Sequence, residues 1–304
     1  MDEREREGSL LTRRHERVRA TGLASLARRH LGTNAAKHAF LLVGAMVTVF
    51  PFYWMLTTSF KSFIEAGQFP PTLIPKEWHF ENWAEAWRVP RGHWPEAFRN
   101  TILVGSLSVL GDLTTAVLAA YAFARMRFRG RDLLFGIFLA TLMIPGEAVL
   151  IPNFVLMSKR FLNLYDTYAA QILPFVASAF AIFLLRQFFL SIPKELQDAA
   201  TIDGAGHTRY LWSVALPLVQ PALITVALLQ FLGSWNAFLW PLLVTSRAEI
   251  QPIQVIAAQF ASEFGANYHL LMAGASFAIL PMVAVFLVAQ KYFIEGVART
   301  GIRD

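Results

Sequence analysis

The chain has no cysteine. Disulfides, Cys-ligated zinc and iron–sulfur clusters are therefore excluded. Charge is scarce: Asp, Glu, Lys and Arg make up 16% of the residues, where soluble domains carry about a quarter. No Lys follows a Gly, so the phosphate-cradling G-x-x-x-x-G-K-[ST] loop is absent and the chain carries no ATP site of that kind. H-E-x-x-H and G-x-S-x-G are also missing, and the seven His residues show no metal-ligand spacing. The sequence thus offers no catalytic residue and no metal site. Its first 37 residues are hydrophilic and Arg-rich, too long for the n-region of a secretory signal.

What is present is apolar: 55% hydrophobic residues and a mean hydropathy of +0.44. The apolar residues fall into six blocks, at about His38 to Phe60, Asn100 to Ala124, Leu133 to Met157, Thr167 to Leu190, Leu218 to Val244 and Leu270 to Phe293. Each is long enough to cross a bilayer, which takes about 20 residues. Backbone polar groups in lipid must be bonded internally, and continuous rather than alternating apolar runs mean helices, not a barrel. The expected fold class is an all-α, polytopic membrane protein with six transmembrane helices. A basic N-terminal arm, residues 1–37, precedes a transmembrane domain, residues 38–304. The third block is interrupted by Pro145, Gly146 and Pro152.

The net charge of +6 does not point to nucleic acid, because the cations sit in short segments between apolar blocks. Nine Lys or Arg lie in residues 1–37, four from Arg125 to Arg131, three around Arg186 to Tyr210 and three from Lys291 onward. The alternate segments hold five in 61–99, two at Lys159 and Arg160, and one at Arg247. The excess predicts that both termini face the cytoplasm. The Arg-rich arm is read either as a basic helix on anionic lipid or as a solvated tail. The first external loop carries Trp78, Trp83, Trp87 and Trp94, with a short interfacial helix expected over Glu81 to Arg88. These aromatics either anchor the loop at the membrane surface or dock a partner.

Between blocks four and five runs a cytoplasmic segment, about 191–217. Ser191 and Pro193 mark a helix start. Glu195 and Asp198 suit its positive end. Ala199 and Ala200 form a small surface open to another protein. Gly204 suits a left-handed stop, and a second short helix can run on to Leu216-Pro217. The expected form is helix, Gly turn, helix. Long ordered loops are often functional, though an ordinary connecting loop is an equal reading.

This segment resembles the EAA motif of binding-protein-dependent ABC importers, E-A-A-x-x-D-G-A followed by a distant L-P. The chain matches at Ala199, Ala200, Asp203, Gly204, Ala205, Leu216 and Pro217, and has Asp198 where the motif has Glu. Met55 to Lys61, Ala119 to Arg125, Met143-Ile144-Pro145, Arg186 to Phe189 and Ser234-Trp235-Asn236 resemble blocks of the MalG-like permeases of carbohydrate importers, a similarity covering roughly residues 38–300. The tail, Thr300 to Asp304, departs from the family's usual ending.

The resemblance implies a type I ABC importer permease fold and a multi-subunit assembly. Its members would be a second homologous permease, two copies of a cytoplasmic ATPase that bind ATP and Mg, and an extracytoplasmic solute-binding protein, all at a prokaryotic inner membrane. Glu195, Asp198, Ala199, Ala200, Asp203, Gly204, Ala205 and Pro217 would couple to the ATPase. No cofactor is expected in this chain itself.

Polar residues inside the apolar blocks mark the expected translocation path. Asp112 lies near the centre of block two, and Glu147 follows the Pro145-Gly146 break. Gln230, Ser234, Trp235 and Asn236 cluster in block five, offering the amide, hydroxyl and aromatic groups that sugars use; helix packing is the equal alternative. The leading functional reading is import of a sugar, oligosaccharide or glycerol 3-phosphate-like solute. The alternative is an ion-coupled secondary transporter without an ATPase.

Overall fold

In the computed structural model, residues 37–88 and 93–301 are described, the side chains of 289 and 291–301 excepted. The basic arm and residues 302–304 lie outside the described residues. The described residues form helices and connecting turns, with no strand among them.

The chain divides into two units, 1–57 and 58–304. In the first, α1 (Lys37–Ser59) is apolar on all sides and only 6% of its apolar window is buried. A helix apolar all round belongs in lipid or against other helices. Two of its hydroxyls bond back within the helix: Thr48 donates to the Gly44 carbonyl at 2.9 Å and Thr57 to that of Tyr53 at 3.0 Å.

The second unit is built on α4 (Trp94–Arg125). Its 32 residues reach about 48 Å at 1.5 Å per residue, well beyond the ~30 Å of a hydrocarbon core. Two short helices precede it, α2 (Phe63–Gly67) and α3 (Glu81–Arg88), the latter matching the helix expected in the first loop. After α4 come α5 (Arg131–Thr141), α6 (Gly146–Met157), α7 (Tyr168–Ile172), a 3-10 turn (Leu173–Phe175) and α8 (Ala179–Ser191). Then follow α9 (Lys194–Ile202), α10 (His207–Tyr210), a π-helical stretch (Leu211–Ala215) and α11 (Leu216–Leu218). The chain closes with α12 (Gln220–Trp235), α13 (Leu239–Val244), a 3-10 turn (Ala248–Ile250), α14 (Ile253–Phe264) and α15 (Tyr268–Gly301).

Three helices, α1, α4 and α15, are long and apolar enough to cross a membrane alone. Three further helix pairs pass the same test of length and hydropathy only when each bent pair is taken as one span. α5 and α6 meet at 97°, α7 with its 3-10 turn meets α8 at 44°, and the α10–α11 segment meets α12 at 79°. Proline sits at each break: Pro145 before α6, Pro174 in the 3-10 turn, Pro217 and Pro221 around Val219. A proline lacks the N–H and clashes with the preceding turn, so a helix stops or turns there.

Two differences from the sequence reading follow. Block five, expected as one span to Val244, ends as a helix at Trp235; Asn236 to Phe238 intervene before α13. The stretch after it, without an apolar block, folds into α14, whose Ile253, Ile256 and Phe260 repeat at helical spacing and are buried against α4 and α15.

Three buried apolar clusters lie among the described residues of this unit, the smallest around Met157, Ala170, Trp240 and Val244. In one, the small residues Ala116 and Ala120 of α4 let Leu185 and Phe189 of α8 approach closely, with Ala215, Val219 and Ala222 closing the far side. In another, Trp94 is fully buried among Phe260, Phe277 and Ile256, and its Nε1 donates to the Ala86 carbonyl at 3.0 Å. Trp83 and Trp87 also pack edge-on against Phe277. Trp94 is thus a core residue rather than a surface anchor, while Trp78 stays exposed.

Candidate functional site

Two features of the second unit stand out as candidate sites: the exposed helix α9 with its turn, and a cavity lined by α4, α7, α12 and α13.

Ser191 closes α8 rather than opening α9; its Oγ donates to the Phe188 carbonyl. Pro193 is the N-cap of α9, fixing the backbone at the entry. No residue of α9 is buried. Glu195, Asp198 and Asp203 are exposed, and their carboxylates make no hydrogen bond or ion pair among the described residues. Ile202 is 86% exposed, and Leu196 and Trp212 lie open as well.

The helix ends as the Gly turn requires. Gly204 has φ +78°, its N–H donates to Thr201, and the N–H of Ala205 donates to Ala200 at 2.8 Å. This closes the last carbonyls by the left-handed capping pattern. The second short helix is present with one irregularity. Pro217 cannot donate back to Ser213, and the turn before it widens into the π-helical stretch.

An exposed helix transmits force only if its ends are held. On the entry side, the Arg125 guanidinium donates to the carbonyls of Phe189 (Nε at 3.1 Å) and Ile192. On the exit side, the Tyr121 hydroxyl hydrogen-bonds His207 Nδ1 at 3.1 Å. Tyr210, Leu211 and Ala215 are buried against α4 and α8. The clamp residues Tyr121 and Arg125 were not predicted as site residues. Their spacing of four, which puts them on one helix face, was the available signal.

The polar residues expected in the path are dispersed. Gln230 and Ser234 line the cavity, together with Thr101, Ser108, Gln171 and Trp240. Trp235 does not join them: it is buried in the Trp94 core and donates to the Ala278 carbonyl at 3.1 Å. Asn236 is exposed and bonded to the Leu232 carbonyl. Glu147 is exposed in the first turn of α6, away from the cavity wall.

Asp112 is 1% exposed and faces the Ser178 backbone N–H at the start of α8. A carboxylate there meets the positive end of that helix. It therefore joins α4 to the bend of the fourth span and is not part of the cavity wall. Gln171, missed in the sequence reading, carries the same signal as Gln230, an amide inside an apolar block.

Among the described residues, three spanning helices and three bent helix pairs, with an exposed, clamped helix between the second and third pairs, fit a polytopic transport permease. The chain belongs to the family of binding-protein-dependent transport system inner membrane components, whose pattern it matches over residues 112–299. It is similar to the sn-glycerol-3-phosphate transport system permease protein UgpE of Yersinia enterocolitica, with 34% identity over 265 residues, 85% of this chain and 94% of that one. It is also similar to the arabinooligosaccharides transport system permease protein AraQ of Halalkalibacterium halodurans, with 36% identity over 261 residues, 85% and 92% of the two chains. Among solved structures, a chain of a bacterial ABC transporter involved in import of the acidic polysaccharide alginate superposes with a TM-score of 0.76 at 27% identity, covering 86% of this chain and 96% of that one. The chain is a membrane-spanning permease component of an ABC importer.

Proposed function

We propose that this permease forms one half of an ATP-driven path that imports a sugar or oligosaccharide across a prokaryotic plasma membrane. The other half is a second homologous permease. An extracytoplasmic binding protein delivers the solute, and two copies of a cytoplasmic ATPase bind ATP and Mg. Both termini lie in the cytoplasm, in keeping with the excess of Lys and Arg on that side. A glycerol 3-phosphate-like solute is the second candidate, since such a permease is among the similar chains.

The observation that carries this reading is α9: a helix with no buried residue, yet gripped at both flanks by α4. Such a helix is a lever awaiting a socket. Glu195, Asp198 and Asp203 present charge to the ATPase, and Ala199 and Ala200 allow its backbone to come close. Gly204 and Ala205 set the bend. Pro217 starts the bend that passes motion to α12.

The test is affinity purification of the complex from its native membrane, beside an Asp198→Lys/Gly204→Pro variant. The expected result is an ATPase and a second permease with the native chain, and the second permease alone with the variant. ATP-independent transport by the chain alone would replace this reading with a secondary transporter.

A further inference from the structure

The cavity between α4, α7, α12 and α13 has about 200 Å³ of room. That is space for about half a dozen waters at ~30 Å³ each, or for a single sugar ring. Its lining includes the hydroxyl residues Ser108 and Ser234, the amide residues Gln171 and Gln230, and the aromatic residues Phe175 and Trp240. No charged side chain lines it among the described residues.

The amides and rings are held in place. Gln171 is 1% exposed; its Nε2 donates to the Ile250 carbonyl at 3.1 Å, while its Oε1 has no protein donor. Gln230 Nε2 is engaged by the Phe175 carbonyl at 3.2 Å. Trp240 Nε1 is engaged by the Ala170 carbonyl at 3.1 Å, which leaves its ring, not its N–H, for a ligand. Phe175 stands edge-on to Trp240, with centroids 6.2 Å apart. The cavity opens past Phe175 and Gly233, both exposed.

We infer that this cavity is a subsite for one neutral, hydroxyl-bearing ring of a saccharide, and that it selects against phosphorylated solutes. The inference rests on the importer reading above and adds the chemistry of the solute. A ring with apolar faces and hydroxyl edges matches aromatic walls joined by amides and hydroxyls. A phosphate would be stripped of water with no cation to meet it, a loss of several kcal/mol per ion that neutral amides do not repay.

The cysteine-free sequence gives a direct test. In the whole importer, purified with its binding protein and reconstituted in vesicles, Ser234→Cys places one thiol in this chain at the cavity wall. Its modification is followed by the mass of this chain. Neutral methyl methanethiosulfonate is expected to react at least tenfold faster than the anionic sulfonatoethyl reagent. Neutral gluco-, galacto- and arabino-oligosaccharides are tried in turn, and at least one is expected to slow the reaction tenfold, while glycerol 3-phosphate does not. The unsubstituted importer gives an arm independent of folding: ATP-driven uptake of the protecting saccharide and none of glycerol 3-phosphate.

Protection by glycerol 3-phosphate, or by no oligosaccharide while ATP-driven uptake persists, overturns the subsite and leaves the importer reading standing. Absence of any ATP-driven uptake overturns both.

Discussion

Tyr121 and Arg125 lie four residues apart on α4 and hold opposite flanks of α9: Arg125 through the carbonyls of Phe189 and Ile192, Tyr121 through His207 Nδ1. The same helix carries Thr101 and Ser108 at the cavity wall, toward its other end. One continuous helix therefore connects the lever to the cavity. On the proposed reading, a displacement of α9 would be passed on by α4 as a unit, since no proline or break interrupts Trp94–Arg125 beyond its first turn.

Removing the clamp should uncouple without unfolding. Hydrogen bonds to a charged group are worth about 1.5–3 kcal/mol, and Arg125 supplies at least two of them to the end of α8. Arg125→Ala is expected to keep membrane insertion but lower transport at least tenfold, with Tyr121→Phe milder. ATP hydrolysis and solute uptake measured together in reconstituted vesicles would show hydrolysis outrunning uptake. Equal uptake per ATP in the variant would mean that α9 needs no grip from α4.

The carboxylates of Glu195 and Asp198 in α9 and of Asp203 at its C-cap are exposed and make no hydrogen bond or ion pair among the described residues. Reversing one should harm assembly rather than folding. Asp203→Lys is expected to insert and fold normally yet lose transport. Loss of the protein from the membrane fraction would assign Asp203 to folding instead.

At Gly204 the backbone is left-handed, and a Cβ would meet nothing within 4 Å. Any penalty is therefore conformational, about 1–2 kcal/mol for an ordinary L-residue, a factor of roughly 5–30 in the population of the native turn. Gly204→Val should cut transport by that order, and Gly204→Asn, which tolerates this region, by much less. Uptake rates of the two variants at matched expression provide the check. An equal loss in both would point to crowding by the partner at this position.

The elements legible in the sequence are those that the bilayer dictates. Span positions, the Pro145 break and the α9 turn at Gly204 follow from hydropathy, proline and glycine alone. α14 escaped because its Ile253, Ile256 and Phe260 face is narrow and the stretch has no long apolar run. The cavity was half legible. Gln230 and Ser234 are conspicuous as polar residues in an apolar block, but Trp235, next in sequence, points into a different core because adjacent helical residues are about 100° apart. Thr101, Ser108 and Gln171 reach the same wall from helices distant in sequence, which only tertiary packing decides.

Asp166 gives a pH dependence of known sign. It lies in the loop between α6 and α7. Burial alone would raise its pKa. The N–H groups of Ser246 and Arg247 and the Arg247 guanidinium, 2.8 Å away, outweigh this and hold the carboxylate below its ordinary value. A group whose folded pKa is depressed stabilises above its unfolded pKa, ~3.9 for Asp, and that stability is lost as pH falls through the lower folded value. Thermal melting of the detergent-solubilised chain should therefore drop on acidification below about pH 4. Asp166→Asn should melt lower at pH 7 and lose part of the acid drop. An unchanged pH profile in the variant would show that this pair, well exposed on its Arg side, contributes nothing.

Gly111 tests how tightly the bend of the fourth span is held. A Cβ there would stand 2.7 Å from the Val176 side chain, and the Val176 carbonyl is itself held by a hydrogen bond from Thr115 Oγ1 at 2.5 Å. Neither group can yield freely, because Val176 belongs to the short bridge between the 3-10 turn and α8, with Asp112 seated at Ser178 two residues on. Overpacking of this kind costs about 1–3 kcal/mol. Gly111→Ala is expected to lower the melting temperature, and the double variant Gly111→Ala/Val176→Ala to recover most of the loss by freeing the space. Failure of the double variant to recover would mean that the strain lies in α4 itself, and that the bend at 44° is set by Pro174 alone rather than by contact with α4.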